Sequence, residues 1–160
     1  MADISTVDQD YRLWVLLQQT SNILFEAREN ELREHGFTAM HAAALLVIKS
    51  IGDKATPAQI SRWMVRKPHS ISGLLARMER IGLITKTKDL HKKNLVRVSI
   101  TEKGEAAYKQ AVKRKMVQKV MSSLSAEQRK QMTASLELLR TKGLKEMGID
   151  PKKLPFQSFA

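Results

Sequence analysis

Between Arg62 and Asn94 the sequence gathers side chains that recognise a polyanion. Arg62, Arg66 and Lys67 come first, His69, Ser70, Ser72, Gly73 and Arg77 follow, and Lys86, Lys88, His91, Lys92, Lys93 and Asn94 close the series. Hydroxyl, imidazole and amide groups reach base edges, whereas guanidinium and ammonium groups hold phosphate oxygens. The charge is placed to match. The chain carries net +12, but residues 62–103 hold 11 Lys/Arg against 3 Asp/Glu (net +8), residues 104–160 are net +7, and residues 1–61 are net −3. Concentrated positive charge is the electrostatic footprint that nucleic acid requires. A solubilising surface is the plain alternative for any basic chain.

The elements that must position these residues are legible around them. Thr56-Pro57-Ala58-Gln59 starts a short helix: Thr56 as cap, Pro57 at the first helical position and Gln59 reaching back. Ile60 and Met64 share one of its faces, and Arg66-Lys67-Pro68 interrupts it, because a residue before proline is pushed out of the helical region. A second helix follows from Pro68, with Ile71, Leu74, Leu75 and Met78 at helical spacing and Gly82 past its end. Its other face carries His69, Ser70, Ser72, Gly73 and Arg77. Two helices joined by a short turn have the helix-turn-helix spacing. The β-type runs Leu83–Thr87 and Leu95–Ile100 then flank a polar, mostly basic tip, residues 88–94. A basic hairpin beside a recognition helix is a wing, and its tip suits a neighbouring minor groove.

In order and spacing, Thr56-Pro57-Ala58-Gln59-Ile60, the run from Ser70 to Ile84 and Val98-Ser99-Ile100-Thr101-Glu102-Lys103-Gly104 resemble the MarR-type transcriptional regulators. The resemblance spans most of the chain. It implies a mainly α fold with a small β-wing: a winged helix-turn-helix lobe over 38–104, dimerisation helices over 5–36 and 105–148, and an extended tail over 149–160. It also implies a homodimer on a pseudo-palindromic double-stranded DNA operator, most often as a ligand-responsive repressor. Such regulators carry an acidic residue and, soon after, an arginine in the wing. By spacing back from Thr101 those places hold Lys92 and Asn94, which leaves Lys92 or Lys93 as point charges in their stead. A small aromatic or anionic effector, bound between the dimerisation helices and the DNA lobe, is a further implication. Trp14, Met40, His41 and Trp63 are its candidate contacts, and a core role is the alternative for each.

The rest of the chain reads as support. A long helix from about Val7 to Glu34, stopped at Gly36, exceeds what one small lobe covers, so part of its apolar face is expected to meet another subunit. Thr38 begins a helix through Ala42 to Ile48, apolar nearly all round and therefore central. Thr101 with Glu102 starts a long helix through Tyr108, Val112, Met116 and Val120. Ser125 with Gln128 restarts helix by a capping box and carries it to Gly148. Apolar faces at both ends of the chain call for a symmetric partner. Phe156 and Phe159 are candidate anchors for the tail.

Several classes are excluded or disfavoured. With no cysteine there is no disulfide, thiol redox sensor or thiolate metal site. His35, His41, His69 and His91 lack metal-ligand spacing, so neither a metal nor another cofactor is expected. No phosphate loop, nucleophile elbow or framed carboxylate pair points to an enzyme. No run is long enough to span a bilayer and Met1-Ala2-Asp3 lacks signal-peptide character, so a soluble, cytoplasmic protein without a membrane partner is expected. Two rival functions stay open. One is an architectural DNA binder indifferent to sequence; the other is a winged-helix module for protein partners.

Overall fold

The computed structural model describes residues 8–92 and 94–154. The chain is held as two compact units, one ending at Ala39 and one beginning at Met40. In the first, the Asp8 carboxylate accepts from the Tyr11 N–H at 2.8 Å and opens α1, Gln9–Arg33. Val7, the expected start, lies outside the described residues. Tyr11, Leu13, Trp14, Leu16, Ile23 and Phe25 of α1 are exposed, an unusual load of apolar surface for one helix. Gly36, with φ +80, ends the segment where the sequence predicts a stop. The Glu29 carboxylate accepts from the Ala39 N–H at 2.7 Å, placing an anion at the start of α2, Ala39–Ile51.

In the second unit, Ala42, Ala44, Leu45 and Ile48 of α2 are buried, as its apolar pattern requires. A 3-10 turn, Gly52–Lys54, leads to α3, Pro57–Met64. The predicted capping box is present: Gln59 N–H donates to Thr56 Oγ1 at 3.3 Å and Thr56 N–H to Gln59 Oε1 at 3.0 Å. Helix α4, Pro68–Arg80, buries Ile71, Leu74, Leu75 and Met78, packing on α3 and on β1, Ile84–Lys88. Burial of each such side chain is worth about 1.5–3 kcal/mol. Strand β2, Val96–Ile100, pairs antiparallel with β1 in the register Ile84↔Ile100 to Lys88↔Val96. On its other edge, the Val98 N–H donates to the Ala55 carbonyl at 2.9 Å, which ties the hairpin to the residue preceding α3's cap.

Thr101 turns the chain out of the sheet. Its hydroxyl donates to the Gly82 carbonyl at 2.5 Å and accepts from the Gly104 N–H at 3.0 Å, capping α5, Glu102–Ala111. Here the structure departs from the long helix expected through Val120. The chain breaks at Val112–Arg114, with Arg114 at φ 49, and resumes as α6, Lys115–Met121. No glycine or proline marks the break. Lys109 and Lys113, like charges one turn apart, disfavour helix at this point. Ser125 and Gln128 then form the predicted capping box of α7, Ala126–Glu146, and Gly148 at φ +72 follows it. The tail expected to be extended carries instead a 3-10 turn, Pro151–Lys153, because the Asp150 carboxylate accepts from the Lys152 N–H at 3.0 Å and caps it. Phe156 and Phe159 lie outside the described residues. No helix among the described residues is long and apolar enough to cross a membrane.

Gly104 is the tightest backbone approach. A Cβ there would fall inside contact distance of the Leu83 carbonyl oxygen and 2.7 Å from Ile100 Cγ2. Gly104→Ala is therefore expected to destabilise the fold by about 1–3 kcal/mol, the usual cost of overpacking. Thermal unfolding checks this. An unchanged melting temperature would mean that α5 does not sit this close to the sheet.

Candidate nucleic-acid interface

Helix α4 is placed by its buried stripe, and the opposite stripe faces outward. His69, Gly73, Ala76 and Arg80 recur along it at three- and four-residue steps, flanked by Ser70, Ser72 and Arg77. All of these are exposed except Gly73, which is half-buried. The Arg77 guanidinium curls back over Gly73, where an added Cβ would lie 3.6 Å from Nη1. Side chains on a helix lean toward its N-terminus, so Arg77 delivers its charge one turn nearer the helix start than its sequence position suggests. The strip is shallow at Gly73 and Ala76 and cationic at Arg77 and Arg80, a shape suited to a groove floor between phosphate walls. Sequence reasoning left out Arg80 and Ala76, although the helical period alone places both on this stripe.

The turn before α4 is built on strain held by one serine. Val65 adopts the left-handed conformation (φ 50, ψ 46), uncommon for a β-branched residue and costly by about 1–2 kcal/mol. Buried Ser61 compensates: its hydroxyl donates to the Arg66 carbonyl at 2.6 Å, and its own carbonyl accepts from the Arg66 N–H at 3.1 Å. Arg62, Arg66 and Lys67 stand exposed around this turn, where the cations of a docking surface belong.

In the wing, Lys88, His91, Lys92 and Asn94 are exposed, and Lys93 lies outside the described residues. Lys86 differs from the expectation of a DNA-facing cation. Its ammonium lies 3.2 Å from the Glu79 carboxylate, so it links β1 to α4 with much of its charge already answered. The tip also presents Leu90, 96% exposed and the most exposed large apolar residue described.

An acid–arginine pair does shape this wing, but not at Lys92 and Asn94. Asp89 Oδ1 accepts from the His91 N–H at 2.8 Å and the Lys92 N–H at 3.2 Å, while Oδ2 accepts from Arg97 Nε at 3.0 Å. Arg97 Nη1 also donates to the Lys54 carbonyl at 2.8 Å. One guanidinium thus joins the wing tip to the turn before α3. The His91 N–H, with the Arg97 hydrogen bond and charge, holds the Asp89 carboxyl below its ordinary 3.8, against the opposing effect of partial desolvation. In sequence, Arg97 is an ordinary outward residue of an alternating strand; only the eight-residue separation across a hairpin brings it to Asp89.

The four candidate effector contacts are placed as follows. Trp14 is exposed on α1, Met40 is half-buried and His41 buried in the first turn of α2, and Trp63 is half-buried on α3. No group of three or more potential metal ligands occurs among the described residues.

Comparison with known proteins agrees with this geometry. Residues 37–104 match the family described as the winged helix DNA-binding domain. The ligand-free crystal structure of the organohalide-sensing RdhR transcriptional regulator is similar over 98% of this chain and 95% of its own, at 31% identity and a TM-score of 0.88. Its 2,4-dichlorophenol-bound form gives 29% identity and 0.86, over the same shares. A mutant MarR from E. coli in complex with operator DNA shares the fold at 21% identity, with a TM-score of 0.71 over 83% of this chain and 94% of that one. No curated protein matches the chain.

Two outcomes follow from the geometry. Arg77→Ala should weaken DNA binding by about 1–3 kcal/mol while leaving helicity intact; unchanged affinity would misplace the helix. Asp89→Ala should free the wing tip, read as faster amide exchange at His91 and Lys92. Because the folded-state value of Asp89 is depressed, its contribution is present above the ordinary 3.8 and is lost as pH falls through the lower folded value. The Arg97 Nε resonance should shift in that acidic range in the parent protein and in no range in the variant.

Proposed function

We propose, for a chain that belongs to the MarR family of winged-helix, DNA-binding transcriptional regulators, a homodimer that recognises a pseudo-palindromic operator and releases it on binding a small effector. One observation carries the sequence-specific part: the outward stripe of α4 offers short polar and small residues, flanked by cations, along a helix fixed in rotation by its buried face. A cationic surface alone binds any duplex. A stripe that fits a groove floor distinguishes sequences.

The dimer is supported by apolar surface at both ends of the chain. Tyr11, Leu13, Trp14, Leu16, Ile23 and Phe25 are exposed on α1, and Met132, Leu136, Leu138 and Leu139 on α7. A soluble monomer seldom leaves so much uncovered, and a two-fold partner is the commonest cover. With two recognition helices the half-sites would lie about one helical turn apart, roughly 34 Å. The effector is supported by the organohalide-sensing relative, whose crystal form binds 2,4-dichlorophenol. A small aromatic or anionic molecule that binds one arrangement of the DNA-reading lobes better than another would shift the population away from the docked form. Repression, relieved by that molecule, is the outcome we propose.

A mobility-shift titration on the DNA upstream of the protein's own gene, against scrambled DNA at fixed near-physiological salt, tests this. A preference of about a thousandfold or more is expected. Equal affinity for upstream, promoter-library and scrambled DNA would instead establish an architectural binder. Light scattering should give twice the chain mass, and a monomer at micromolar concentration would overturn the dimer.

A further inference from the structure

The cations of the wing answer phosphate charge, but Leu90, which stands among them, has no part in that. A single exposed leucine is ordinary on a protein surface, so exposure alone decides nothing. Three further observations set this one apart. It is 96% exposed, whereas the uncovered apolar residues of α1 and α7 lie between 37% and 74%. It also sits in a loop closed by hydrogen bonds. The Asp89 N–H donates to the Leu95 carbonyl at 2.8 Å and the Leu95 N–H to the Lys92 carbonyl at 2.9 Å, while Asp89 Oδ1 gathers the N–H groups of His91 and Lys92.

The third observation is charge. Lys88, His91 and Lys92 are exposed around Leu90, and none of them takes part in an ion pair found among the described residues. Asp89 is the one carboxylate in residues 88–94, and Arg97 neutralises it. The tip is therefore a framed loop that offers phosphate walls its cations and offers whatever lies between those walls an apolar side chain. Leucine has no hydrogen-bonding group and reads no acceptor pattern on a base edge. What an apolar side chain does on the floor of a minor groove is enter a base step and unstack it.

We propose that Leu90 is a wedge: the wing enters the minor groove and Leu90 partly unstacks one base step there, so that each half-site is selected for how easily that step deforms. The proposal rests on the functional reading above in taking duplex DNA as the partner, and it adds specificity at a place where no polar side chain meets a base. Pyrimidine–purine steps such as TA and CA open readily, and A-tracts resist. The protein should therefore prefer a flexible step at a fixed distance outside the bases that α4 meets.

The test lets the full chain select duplexes from a random-sequence pool. The recovered site is rebuilt with TA, CA or AA at each step of the flanking minor groove, and with 2-aminopurine beside the varied step to report unstacking by its fluorescence. One position in each half-site is expected where TA and CA bind about fivefold or more tighter than AA. The reporter should brighten on binding at that position. Leu90→Ala should bring the step preference to within about twofold and abolish the brightening, with the preferences at the bases under α4 unchanged. Leu90→Lys adds a cation while removing the wedge, so it should keep affinity through charge and still lose both signals. Step preference or brightening that persists in the two variants would overturn the proposal, as would a parent protein with no position that favours TA or CA. A solution mass changed by Leu90→Ala would assign the residue to a contact between copies of the chain and overturn it as well. A pool that yields no preferred sequence overturns the operator reading, and the same reporter in a TA-bearing duplex then decides the wedge separately: brightening that depends on Leu90 upholds it, and its absence overturns it.

Discussion

Everything outward about this protein depends on one inward fact: Ile71, Leu74, Leu75 and Met78 are buried together along α4. A helix so anchored has no freedom to rotate, since turning it by one residue would lift apolar side chains into water at about 1.5–3 kcal/mol each. The outward stripe, His69, Gly73, Ala76 and Arg80, is thereby held at one orientation. Preorganisation of this kind turns a list of polar residues into a surface with a shape.

The wing obeys the same logic with polar bonds in place of packing. Its strands rest on Ala55 through the Val98 N–H, its base meets α5 where Gly104 admits no side chain, and its tip is gathered by Asp89. Arg97 spans the distance between tip and base. The cations at Lys88 and Lys92 therefore project from a framed loop rather than a loose one. Lys86, tied to Glu79, serves that frame.

Much of this was legible in the sequence because the signals are local. Thr56 with Gln59 and Ser125 with Gln128 lie three residues apart, and the period of Ile71, Leu74, Leu75 and Met78 needs no tertiary context. What escaped depends on contacts between distant segments or on the absence of a marker. Asp89 meets Arg97 only once the hairpin has formed. Ser61 looks like any helical serine until the turn closes on Arg66. The break at Arg114 has neither glycine nor proline, and the left-handed Val65 occupies a place where sequence reasoning expects a permissive residue.

The most direct measurement exploits the lack of cysteine in the chain. Single substitutions Ala76→Cys and Leu90→Cys, each carrying a tethered iron chelate, would cleave bound operator DNA near the labelled side chain. Placement of α4 in the major groove and of the wing tip in the adjacent minor groove predicts strand-offset cuts centred on each half-site from position 76, and cuts in the flanking minor groove from position 90. Cleavage from position 76 that is absent or spread evenly along the duplex, while another surface cuts at defined positions, would contradict the account.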